Sequence, residues 1–249
     1  MFDEIENAVK ERMGLTKVFL DYDGTLVDLT SQPENAKPDQ KLLDLLNDLK
    51  AEIPLFLVTG RDLDGIISFV GRGFNIIAMH GSQFIGENGQ KWFVENFETC
   101  EKKTAQLASK YSHLEREFPG LRVIDKKGGL QFHYYNVDRI LVKGLEGVIS
   151  KIREDGFEMY TGKYVYELRI EGMDKGKAIL SHVSDRDSIL FAGDDRTDEE
   201  AFRELSRHVT IKIGDGKSTA RFRLDSPAQM KKLLSDLLKN RKEMFRKVL

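Results

Sequence analysis

Cysteine is almost absent: Cys100 is the one thiol in 249 residues. A single thiol excludes an intrachain disulfide and any cysteine-based metal cluster. An excess of charge of one sign is lacking too. Lysine and arginine total 39 against 41 aspartates and glutamates, a formal net charge of −2. That balance gives no electrostatic reason to expect nucleic acid as a partner. No apolar run approaches the ~20 residues that span a bilayer, so no membrane partner is expected. The N-terminus carries Asp3, Glu4 and Glu6 where a signal segment would be apolar, and the expected compartment is the cytoplasm. Internal repeats and low-complexity tracts are also missing. What is present is a soluble globular composition, 40% hydrophobic and 32% charged. The length suffices for a real core, as one large domain or two small ones.

The chain is organised around Val18-Phe19-Leu20-Asp21-Tyr22-Asp23-Gly24-Thr25-Leu26. Its apolar run reads as a buried strand with two aspartates at its end. In an open α/β sheet, ligands bind beyond the carboxyl ends of the strands. Two carboxylates held together there repel unless a cation or proton offsets the charge. Hard divalent cations such as Mg²⁺ take carboxylate oxygens and keep waters for substrate phosphate.

Around this stretch, strands alternate with helices. Residues 2–13 read as an amphipathic helix with Phe2, Ile5, Val9 and Met13 on one face. Pro38-Asp39 suits the start of a leucine-bearing helix to about residue 51. Leu55–Val58 is a buried strand ending at Thr59-Gly60-Arg61, and Asp62 reads as the N-cap of a helix over 63–70. A third strand, 75–79, ends at His80-Gly81. The alternation resumes at Asp174-Lys175-Gly176, then strand 188–192 ending at Gly193-Asp194-Asp195, helix 197–205, strand 209–213 and a helix from about 228. This predicts a doubly wound parallel α/β sheet, a Rossmann-like core.

The middle of the chain differs. Asn88-Gly89 marks a hairpin. A helix at about 98–117, strands 121–125 and 130–135, a helix from 138 to about 154, and strands 157–161 and 164–170 follow. This αββαββ pattern predicts an inserted α+β domain at 97–171, between core segments 1–96 and 172–249.

Asp-x-Asp-Gly-Thr, Thr59-Gly60-Arg61, Asp174-Lys175-Gly176 and Gly193-Asp194-Asp195-x-x-Asp198 occur in that order. The set resembles the haloacid dehalogenase-type phosphohydrolases. The resemblance implies an aspartyl-phosphate mechanism. It makes Asp21 the nucleophile and Asp23 the acid/base. Thr59, with Gly60 and Arg61, would hold phosphate oxygens, and Lys175 would pair with phosphate and orient Asp21. It places Mg²⁺ on Asp21, Asp23 through its backbone carbonyl, and Asp194, with Asp195 and Asp198 as helpers. The inserted unit would be a cap over the active site that selects the leaving group and excludes water.

Gly162-Lys163-Tyr164-Val165-Tyr166-Glu167-Leu168-Arg169, His80-Gly81, and Pro119-Gly120 with Lys126 and His133-Tyr134 resemble the trehalose-6-phosphate phosphatase family. That resemblance implies sugar-phosphate contacts at His80, Gly81, Lys126, Lys163, Glu167 and Arg169. It also implies a functional link to a trehalose-6-phosphate synthase. Ile124 and Tyr135 stand where the family often has glutamate and arginine. Both changes remove groups that would hold the distal sugar ring. Sucrose phosphate, mannosylphosphoglycerate or a hexose phosphate therefore stay open as substrates. A phosphomannomutase and a non-catalytic sugar-phosphate-binding module also stay open.

Overall fold

The computed structural model describes residues 2–11, 16–30, 32–162 and 164–246, with side chains described as far as 243. The chain divides into two compact units, 1–91 with 174–249, and 92–173.

The first unit is built on strands β1 (Thr16–Asp21), β2 (Leu55–Val58), β3 (Asn75–Ala78), β4 (Gln83–Ile85), and, after the second unit, β10 (Ser188–Gly193), β11 (Val209–Ile213) and β12 (Phe222–Leu224). They lie in the order β12-β11-β10-β1-β2-β3-β4. Neighbours are parallel except β3 and β4, which are antiparallel. The strands are predominantly apolar because both faces are covered. Val18, Leu20, Leu57, Leu190 and Ile211 face one side, against Ile5 and Val9 of α1 (Phe2–Lys10), Leu42, Leu46 and Leu49 of α2 (Gln40–Glu52), and Leu233 and Leu237 on a C-terminal helix, Pro227–Arg246. Phe19, Phe56, Val58 and Phe191 face the other side, against Ile179, Ala201 and Phe202 from helices at 175–180 and 196–204. This is the doubly wound parallel core that the alternation predicted.

Asp62 caps α3 (Leu63–Val70), its Oδ1 accepting from Gly65 N at 2.7 Å. The first helix ends at Lys10, and positions 12 and 13 of its expected span lie outside the described residues. β12 was not expected. It is only three residues long with Arg223 at its centre, and that guanidinium caps the carbonyls of Gly214 and Gly216.

β5 (Lys91–Phe93) carries the chain into the second unit, where Phe93 lies 4.7 Å from Phe97, centroid to centroid. Its antiparallel sheet runs β6 (Arg122–Asp125), β7 (Gly129–His133), β9 (Val165–Ile170), β8 (Phe157–Gly162). Leu130, Phe132, Tyr166 and Leu168 pack under Phe97, Cys100 and Leu107 of α4 (Phe97–Tyr111), Leu114 of α5 (Leu114–Glu117), and Leu145 and Ile149 of α6 (Arg139–Ile149). The helix expected over 98–117 is therefore two. At its break, the Ser112 hydroxyl and amide both turn back to the Ser109 carbonyl, the local competition that makes serine a poor interior residue. The helix expected to about 154 stops at 149, and Arg153 donates to the carbonyls of Ser150 and Ile152. Among the described residues, no helix is long and apolar enough to cross a membrane.

Candidate active site

Asp21 is the last residue of β1, 5% exposed, and β1 lies between β2 and β10. The ends of these three strands therefore supply the neighbouring groups. Asp174 caps α7 (Lys175–Leu180), accepting from Gly176 N and Lys177 N at 2.6 and 3.0 Å. The cap makes Lys175 the first helical residue. Its Nζ, 97% buried by residue, donates to Asp21 Oδ1 and to Asp198 Oδ1, both at 2.8 Å. Asp198 lies in α8 (Arg196–Glu204), whose N-cap is Asp195. Asp198 Oδ2 reaches back to accept from Asp194 N and Asp195 N, at 2.9 and 3.0 Å. Asp195 Oδ1 accepts from Thr197 N, Thr197 Oγ1 and Asp198 N. This reciprocal box closes the helix start and leaves Asp195 committed to capping.

Asp194 is the exception. Its carboxylate has no hydrogen bond or ion pair among the described residues. Asp21, Asp194 and Asp198 each offer an oxygen, all within 4.8 Å of one another. Gly24 turns the chain at φ +79°, and a side chain there would overlap the Asp194 carboxylate. A side chain at Gly193 would likewise overlap Asp198. The two glycines thus let three carboxylates close on one point.

The electrostatics follow from that crowding. Burial pushes the Asp21 carboxyl up to about 8, with Lys175 opposing and Asp194 and Asp195 adding repulsion. Burial, then Asp198 and Asp195, push Asp194 up to about 8. Burial works against ionisation of Asp195 as well, yet Lys175 and the Thr197 and Asp198 hydrogen bonds hold it at about 2. The carboxylates of the cluster therefore outnumber the lysines that face them.

Thr59 directly follows β2 and is 1% exposed, its Oγ1 accepting from Arg61 N at 3.1 Å. The turn at 79–81 is tied to it: Met79 N donates to Arg61 O and His80 N to Thr59 O. His80 and Gly81 are thereby placed beside Gly60, where an added Cβ would lie 2.9 Å from His80 Cε1. The Asp23 carboxylate is not in the acidic cluster. It pairs with Arg61, Nε to Oδ2 at 2.7 Å and Nη2 to Oδ1 at 2.6 Å.

The remaining expected residues lie in the second unit. Glu167 is 5% exposed and accepts from Gln131 Nε2 at 3.0 Å. Arg169 donates to Glu158 at 3.1 Å and lies over the Tyr160 ring. Lys126 is half-buried, its amide donating to Gly129 O. Lys163 lies outside the described residues. Near the cluster, one residue escaped the sequence reading and another was read only as part of a motif, with no role of its own. Lys212, 6% exposed, donates through Nζ to the Asp194 carbonyl. Its signal was a lysine inside the buried strand Val-Thr-Ile-Lys-Ile. Thr25 is fully buried, and its hydroxyl has no partner among the described residues. Its signal was its place beside Gly24.

The sequence model of the family described as trehalose-phosphatase matches residues 19–229. The chain belongs to the trehalose-phosphatase family. It is a phosphatase, a phosphoric monoester hydrolase. The trehalose-6-phosphate phosphatase-related protein of Thermoplasma acidophilum is 36% identical over 224 residues, 87% of this chain and 94% of that one. The bifunctional trehalose-6-phosphate synthase/phosphatase of Thermoproteus tenax is 32% identical over 233 residues, 88% of this chain but 31% of that one. The chain thus spans nearly the whole of the first relative and about a third of the second. The crystal structure of a trehalose-6-phosphate phosphatase related protein aligns with a TM-score of 0.85 at 33% identity, covering 91% of this chain and 99% of that one.

Proposed function

We propose that this phosphatase hydrolyses trehalose 6-phosphate to trehalose and phosphate, with Mg²⁺, through an aspartyl-phosphate on Asp21. The observation that carries the reading is the buried Lys175 bridging Asp21 and Asp198, with the unpartnered Asp194 carboxylate alongside. Phosphoryl transfer depends on positioning and charge neutralisation. The donor set is all oxygen, which fits Mg²⁺ and not a soft metal. Asp21, Asp194 and the main-chain carbonyl of Asp23 would hold the cation, with Asp195 and Asp198 bracing Asp194 and Lys175. When bound, the cation neutralises charge on the transferred phosphoryl group.

The chain's own residues do the rest. Lys175 orients Asp21 for in-line attack on phosphorus. Asp23 gives its proton to the departing sugar oxygen, then takes one from the water that attacks the aspartyl-phosphate. Thr59 keeps its hydroxyl hydrogen for a phosphate oxygen, since Oγ1 acts only as acceptor toward Arg61 N. His80 and the backbone at Gly60 and Gly81 border the same turn. Lys126, Lys163, Glu167 and Arg169 would meet sugar hydroxyls. The names of the relatives support the disaccharide as substrate, and the bifunctional relative supports supply by a trehalose-6-phosphate synthase.

The test is phosphate release from trehalose 6-phosphate, sucrose 6-phosphate, glucose 6-phosphate and mannose 6-phosphate, with Mg²⁺ and with a chelator. Metal-dependent release with preference for trehalose 6-phosphate is expected. Preference for another sugar would retain the chemistry and reassign the substrate. Release only with a bisphosphate activator would make the protein a mutase.

A further inference from the structure

Arg61 carries a larger role than its place in Thr-Gly-Arg suggests. Its guanidinium grips both oxygens of Asp23, at 2.7 and 2.6 Å. The same Nη2 donates to the carbonyl of Pro33 at 2.7 Å. The guanidinium carbon lies 4.6 Å from the Phe69 ring centroid and 5.8 Å from that of Tyr22. The Tyr22 hydroxyl in turn donates to the Ala36 carbonyl at 2.8 Å. The Arg61 side chain is only 12% exposed, against 31% for Asp23. The backbone of Arg61 is fixed as well, its amide on Thr59 Oγ1 and its carbonyl taking Met79 N. A phosphate ligand must present its donors to the ligand. Here Nε and Nη2 are already spent on protein oxygens.

We infer that Arg61 is a positioning residue for Asp23, and not chiefly a phosphate ligand. This rests on the phosphatase reading above. A bidentate guanidinium–carboxylate pair fixes the plane of the carboxylate as well as its distance, which an ammonium does not do. Asp23 needs that. As the Asp21 oxygen–phosphorus bond forms and the phosphorus–sugar oxygen bond breaks, Asp23 releases its proton to the sugar oxygen. It then accepts a proton from water as the water oxygen bonds phosphorus, which frees Asp21 and phosphate. One carboxyl serves both steps from one place. Through Pro33, Arg61 also anchors the loop that follows the Asp-x-Asp-Gly-Thr turn.

The test uses a difference in leaving groups. A sugar alkoxide must be protonated to depart, whereas p-nitrophenolate leaves without a proton. The measured quantity is kcat/KM, which covers only the steps up to phosphorylation, for the sugar phosphate turned over best and for p-nitrophenyl phosphate. The variants are Arg61→Met, Arg61→Gln and Arg61→Lys, with thermal melting to check that each folds. With the sugar phosphate, kcat/KM should fall roughly 100-fold, carried by kcat, and with p-nitrophenyl phosphate less than about tenfold. Arg61→Lys keeps the charge but not the fork and should behave like the other two. Equal losses with both substrates, carried by KM, would make Arg61 a phosphate ligand and overturn the inference. Unchanged kcat/KM with both would overturn it too. Asp21→Asn is run alongside. If it retains activity, the phosphoenzyme reading itself fails; if it is inactive while the Arg61 variants lose both substrates equally, only the Arg61 assignment fails.

Discussion

Asp21 is under strain from its neighbours in the cation-free protein. Burial and two nearby carboxylates raise it to about 8, even with Lys175 bonded to it. Asparagine at this position keeps the shape and removes the charge. Asp21→Asn should therefore have opposite effects on two measurements. Turnover should vanish, because the amide cannot form an acyl phosphate. Thermal stability at pH 8 in chelator should hold or rise, because one repelling charge has gone. A fall in melting temperature would mean that the Lys175–Asp21 bond outweighs the repulsion, contrary to the charge balance described here. The same scale explains what the sequence could not show. Spacing placed Asp21 and Asp23 at one strand end. It did not show that the Asp23 carboxylate would turn to Arg61 while Asp194 closed on Gly24. That depends on backbone direction after Gly24, where φ is positive.

At the scale of elements, short caps hold the chemistry in place. Asp174 fixes the start of α7, and so the entry of Lys175 into the cluster. Asp174→Ala should cost about 1 kcal/mol of stability. Activity should fall by more than that suggests, since Lys175 would lose its register. Asp174→Asn, which can still cap, should recover most of both. Chemical denaturation and phosphate release check the pair, and equal activity in the two variants would refute the link. Elements with strong periodicity were legible: the buried strands at 55–58 and 188–193, the Asp62 cap, and the leucine-bearing helix at 40–52. Elements decided by side-chain-to-backbone bonds were not. The break at Ser112, the stop at Ser150 and the short strand around Arg223 each depend on a polar group finding a particular carbonyl. Hydrophobic patterning carries no record of those bonds.

For the whole molecule, the acidic cluster links stability, pH and cation. Asp21 and Asp194 both stand near 8 in the folded protein, raised from 3.8. A carboxyl raised on folding binds its proton more tightly in the native state than in the unfolded one. Its effect on stability is therefore most favourable below pH 4, and is lost as pH rises from about 4 to about 8. A cation on the same oxygens must displace those protons, so it binds better where they are already gone. Ligand binding to the native state stabilises by an amount that grows with affinity. The upward shift of melting temperature on adding Mg²⁺ should thus be larger at pH 8 than at pH 6. Without the cation, the contribution of this cluster should run the other way, stabilising less at pH 8. Asp194→Asn should abolish most of the Mg²⁺ shift and flatten its pH dependence. Scanning melts at fixed ionic strength with MgCl₂ or chelator measure all of this in the absence of substrate. A Mg²⁺ shift that is equal at both pH values, or that survives in Asp194→Asn, would place the cation somewhere other than this cluster.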